Sequence, residues 1–95
     1  MRRFPQVCGV LCRLAAVLAK AFAEAQGNSL SLYPSAVAKR AQVSQQVVGE
    51  VFRALAERGY MQCVKTDRRM RCVVTRGSPL WSAEYDKIYN ILETL

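Results

Sequence analysis

The chain has 95 residues, with fourteen Lys plus Arg against seven Asp plus Glu and a formal net charge of +7. That length makes one domain with a modest core, which an oligomer contact or cross-links would reinforce. The charge favours a polyanionic partner, either nucleic acid or an anionic membrane surface. Histidine is absent, which removes the commonest general base and metal ligand, and no paired-carboxylate motif replaces it, so an enzyme is not expected.

The N-terminal residues 1–26 have the outline of a signal peptide. Cations in "MRRF" precede the apolar "VCGVLCRLAAVLAKAFA", and small residues stand at Ala21 and Ala23. Arg13 and Lys20 interrupt that run. Together with Glu24 and, less strictly, Gln6 they recur near helical spacing, the pattern of an amphipathic soluble helix. The same charges make a membrane span costly, so a cytoplasmic protein with no membrane partner is expected. The helix is predicted from about Pro5 or Gln6 to Ala25, ended by Gly27-Asn28.

Next, "SLSLYP" (Ser29 to Pro34) reads as a brief extended piece, and Pro34 opens a second helix over 34–41. Ala36, Val37 and Ala41 give that helix an inner face, with Lys39 and Arg40 pointing elsewhere. Gln42 to Ser44 form a tight link, and Ser44 is a good N-cap. The third helix spans about 45–58. Val48, Val51, Phe52 and Leu55 face inward, Gln45, Gln46, Gly49, Glu50 and Arg53 face outward, and Gly59 terminates it.

Two alternating segments follow, "YMQCVKT" (60–66) and "MRCVVT" (70–75), with Asp67-Arg68-Arg69 between them, so a β-hairpin is predicted. Gly77 breaks the chain. Ser78-Pro79 has the look of a helix start, predicting a last helix over about 79–94 with the stripe Trp81, Tyr85, Ile88, Tyr89, Leu92 and Leu95. The fold class expected is mainly α with a small β-hairpin (α+β).

Short helix, tight turn, second helix, glycine and basic-tipped hairpin resemble a winged helix-turn-helix over about residues 30–76, with the first helix completing a three-helix core. Leu55, Gly59, Tyr60 and Met61 reproduce the helix-end phrase of small regulators of the MarR and ArsR type. The resemblance implies a single winged-helix domain over 1–95, made of a first helix at about 5–26, the helix-turn-helix and wing at 30–76, and a dimerising helix at 79–94. It implies a dimeric, sequence-preferring transcriptional regulator on double-stranded DNA, with two half-sites related by a two-fold axis.

Physical chemistry points the same way. An α-helix fits the major groove, where base pairs show distinct donor and acceptor patterns. Lys65, Arg68, Arg69, Arg71 and Arg76, offset by Asp67, give +4 within residues 61–76, more than half of the net charge. Such cations reach phosphates or the minor groove, although charged hairpin tips also serve as plain solvated surface. On the third helix, Ser44, Gln45 and Gln46 lie at the N-terminal end, where base edges come closest, and glutamine suits adenine. Gly49 permits close approach, Arg53 can hold a phosphate, and Lys39 with Arg40 adds affinity. Glu50 sits awkwardly among phosphates unless it accepts from a cytosine amino group or pairs with Arg53.

The four cysteines are many for a reduced cytoplasm. A turn centred between Asp67 and Arg68 sets Cys63 opposite Cys72, either as a close disulfide or as two small apolar residues on the inner face. Cys8 and Cys12 lie at i, i+4, suited to packing, an intersubunit bridge, metal or an oxidant. The spacings are not those of zinc sites, so no metal is expected; no cofactor or small-molecule ligand is identified. Intracellular disulfides are a habit of hyperthermophiles, which hints at a thermophilic archaeon or one of its viruses. Rival functions are a winged helix serving RNA or protein assembly, a thiol-based redox regulator switched at Cys8 and Cys12, and a membrane-associated protein held by its first helix.

Overall fold

The computed structural model describes residues 9–66 and 69–95. It is an α+β fold. Among the described residues there are four helices, α1 (Val10–Glu24), α2 (Pro34–Ala41), α3 (Gln45–Glu57) and α4 (Tyr85–Glu93), and three strands, β1 (Ser29–Leu32), β2 (Gln62–Thr66) and β3 (Arg69–Thr75).

The helix α1 is amphipathic. Leu14, Ala15, Leu18, Ala19 and Phe22 are buried, while Arg13, Lys20 and Glu24 are exposed. Among the described residues it runs from Val10, with the extended Gly9 as N-cap. Positions 5–8, Gln6 among them, lie outside the described residues. Among the described residues no helix is long and apolar enough to cross a membrane.

The link between α2 and α3 is made by Gln42, which adopts a left-handed conformation (φ 58°). This turns the chain so that the Val43 amide donates to the Ala38 carbonyl at 3.1 Å. Arg13 on α1 donates to the Gln42 carbonyl at 3.1 Å and ties the turn to the core helix. Ser44 then caps α3, its hydroxyl accepting from the amides of Gln46 (3.1 Å) and Val47 (3.5 Å). In α2 the buried residues are Pro34, Val37, Ala38 and Ala41. Ala36, expected inside, is exposed, because the helix turns its 34–38–41 stripe to the core.

At its other end α3 closes with Gly59 in the left-handed region (φ 84°). The Gly59 amide donates to the Ala56 carbonyl and that of Tyr60 to the Leu55 carbonyl, both at 3.0 Å. This is the doubly bonded Schellman ending, which satisfies two carbonyls that a frayed helix leaves bare. It also turns the chain directly into β2.

The strands form one antiparallel sheet in the order β1-β3-β2. β2 and β3 are the predicted hairpin, paired from Gln62↔Val73 to Thr66↔Arg69, with Cys63 opposite Cys72. β1 joins the far edge of β3, from Ser29↔Thr75 to Leu32↔Cys72. Val48, Phe52 and Leu55 of α3, Leu14 and Leu18 of α1, and Cys72 and Val74 of β3 are completely buried in one core.

The C-terminal part departs from expectation. Ser78-Pro79 does not start a helix. Instead the Ser78 hydroxyl donates to the Tyr60 carbonyl at 2.7 Å and accepts from the Leu80 amide at 3.2 Å. This turn sends Leu80 completely into the core and lays Trp81 on Phe22, ring centroids 5.2 Å apart. Only then does α4 begin, at Tyr85.

The aromatic stripe is therefore largely spent within the chain, since Ile88 and Leu92 are buried in the core with α1 and Trp81 and Tyr89 are half-buried against it. Among the proposed dimer contacts, Tyr85 is exposed and stacks on Tyr89 at 5.8 Å. The Glu93 carboxylate beside Tyr89 raises that phenol's pKa.

Candidate nucleic-acid interface

The fold sets the outer face of α3 against the hairpin and leaves a groove between them of about 540 Å³. Residues 45, 46, 49, 50 and 53 share one side of a helix because 3.6 residues make a turn. Ser44 fixes where that helix starts, so it fixes which residues occupy that side.

Gln45, Gln46, Gly49, Glu50 and Arg53 line the helical wall. Lys65, Arg69 and Met70 line the hairpin wall, and Pro34 and Ser35 close the end. A smaller recess of about 360 Å³ shares Arg53, Lys65 and Met70 and reaches Ala56, Glu57 and Cys63.

The hairpin wall is held in shape covalently. Cys63 and Cys72 are joined by a disulfide. Cys12 is also disulfide-bonded, while its expected neighbour Cys8 lies outside the described residues. Among the described residues no group of three or more candidate ligands could hold a metal ion.

Not every predicted residue joins the groove. Ser44 acts through the backbone, as the cap. Lys39 and Arg40 are exposed in the last turn of α2 and do not line the groove. Arg71 is exposed and pairs across the hairpin with Val64; it does not line the groove either. Arg68 lies outside the described residues.

Arg76, counted with the basic hairpin, is occupied elsewhere. Its Nε donates to the Gly27 carbonyl at 2.9 Å and its guanidinium lies 4.6 Å over the Trp81 ring. It fastens the loop after α1 to the C-terminal segment.

Tyr33 was not predicted. Its ring sits under the Arg69 guanidinium at 5.1 Å and orients that side chain at the groove's end. The only sequence signal was an aromatic residue just before a helix-starting proline. Its partner lies thirty-six positions away.

Among the described residues, the ion pair is Lys87 on α4 with Glu84 at its N-cap, 3.4 Å apart and both exposed. Among the described residues, therefore, Glu50 and Arg53 form no salt bridge, and Lys65 and Arg69 pair with no carboxylate. Among the described residues the groove is lined by three cations, Arg53, Lys65 and Arg69, against one carboxylate, Glu50, a net positive concavity. Comparison with family models, curated proteins and solved structures found no match.

Proposed function

We propose that the chain is a winged helix-turn-helix protein that binds double-stranded DNA as a sequence-preferring regulator. In this reading α3 enters the major groove and the hairpin tracks phosphates or the adjacent minor groove. One observation carries it: the outward face of α3 and the cations of the hairpin border a single groove, with Gln45, Gln46 and Arg53 on one side and Lys65 and Arg69 on the other. A helix supplying amides for base edges beside a strand pair supplying cations is the division of labour that duplex recognition needs.

The element order supports the same reading, as do the paired ends of α3. The cap at Ser44 and the turn at Gly59 define both ends of α3, the second leading directly into the hairpin. A homodimer belongs to the proposal, with the exposed Tyr85 as the stripe residue left for contact. A cytoplasmic location goes with it.

The test is a salt series of binding to random-sequence duplex, with ribosomal RNA alongside. Tight duplex binding that weakens steeply with salt is expected, since each neutralised phosphate releases counterions. Weak duplex binding at low salt together with tight RNA binding would transfer the site to the rival reading as an assembly module. Glu50, unpaired in the groove, is the observation that favours that rival.

A further inference from the structure

We infer that Glu50, set beside the bare backbone of Gly49, is a base-reading residue whose partner is the exocyclic amino group of cytosine. The inference rests on the duplex-DNA reading above.

Glu50 is exposed, lines the groove and has no ion-pair partner among the described residues. The intrahelical pair with Arg53, which would make it a surface carboxylate of no further consequence, is not formed. An ionised carboxylate only accepts hydrogen bonds. Among phosphates it is repulsive, so what it favours in that groove is a donor. Adenine shows a donor next to an acceptor at its major-groove edge, which suits an amide such as Gln45 or Gln46. Cytosine shows its amino group as a donor, which suits a carboxylate.

Gly49 supplies the second observation. Its backbone is not among the positive-φ positions, and a Cβ built there meets nothing within 4 Å. Neither conformation nor packing calls for glycine at this place in a helix. What its missing side chain leaves is open space on the groove face next to Glu50. A carboxylate reaching a base edge needs a close helix-to-base approach, and Gly49 is where the helix can make it.

The test uses the full chain and its Glu50→Gln and Glu50→Ala variants, whose folding is checked by circular dichroism. Each is used to select sequences from a randomised duplex pool, and affinities are then read by fluorescence anisotropy. The natural chain is expected to enrich cytosine at one position. E50Q should move that preference to adenine. E50A should lose about ten-fold or more in discrimination while binding random duplex more tightly, because a repulsive charge has gone. If all three enrich the same sequence, the role of Glu50 is overturned while duplex recognition stands. If the natural chain binds no duplex, the proposed function falls and the inference with it.

Discussion

Cys63 and Cys72 face each other across the hairpin with Cα atoms 4.0 Å apart and their sulfurs bonded. The close approach follows from the register, in which Cys63 and Cys72 are direct partners. Cys72 is completely buried under the sheet, whereas β2 is largely exposed. The disulfide thus ties an exposed strand to a buried one, and Lys65 and Arg69 project from the strands that it joins.

The double variant Cys63→Ala/Cys72→Ala, which leaves Cys12 untouched, is expected to fold but to lose roughly 2–3 kcal/mol, the loop-entropy value for so short a closed loop. Denaturant unfolding in the absence of reductant measures it. Thiol counting on the natural protein should find Cys63 and Cys72 unreactive, and two labelled hairpin thiols would contradict the assignment.

Ser44→Ala removes the acceptor for the Gln46 and Val47 amides. The expected cost is about 1 kcal/mol. Protection from hydrogen exchange should fall first at the start of α3, next to Gln45 and Gln46. Uniform loss of protection along the chain would argue against a local capping role.

Gln42→Gly should stabilise the protein by up to about 1 kcal/mol, because glycine occupies the left-handed region without a Cβ penalty. The side chain of Gln42 is exposed, and the contact from Arg13 is to its carbonyl, so nothing else is lost. A lowered melting temperature would contradict the strain assigned to this turn.

Gly49→Ala separates fold from function. Alanine favours the helix by roughly 0.5–1 kcal/mol, and open space surrounds the position. The melting temperature should rise while affinity for duplex DNA falls. A rise in stability with unchanged affinity would remove Gly49 from the interface.

Much of this was legible locally. The cap at Ser44, the ending at Gly59 and the register that pairs Cys63 with Cys72 all depend on residues within ten positions of each other, and the sequence displays them. The pairing of β1 with β3 was not, because "SLSL" finds its partner some forty residues downstream and short apolar segments do not name their neighbours. Ser78-Pro79 misled for a related reason. It has the chemistry of a helix start, but Leu80 gains more by entering the core formed by α1 and α3 than by starting a turn of helix. Arg76 looked like one more hairpin cation until Gly27 and Trp81 were brought to it. On α3 the outward set was visible from periodicity, but that it shares a groove with Lys65 and Arg69 required the hairpin's placement.

The most direct test of the central claim compares salt dependence of duplex binding for the natural chain, for Lys65→Gln/Arg69→Gln, and for Lys87→Gln, an exposed lysine on α4 outside the groove. If the groove holds the duplex, the double variant should bind more weakly and its log–log salt slope should be shallower by roughly two units, about 0.9 per lost phosphate contact. The Lys87 variant should match the natural chain. Equal slopes for all three would show that the groove between α3 and the hairpin is not where DNA is bound.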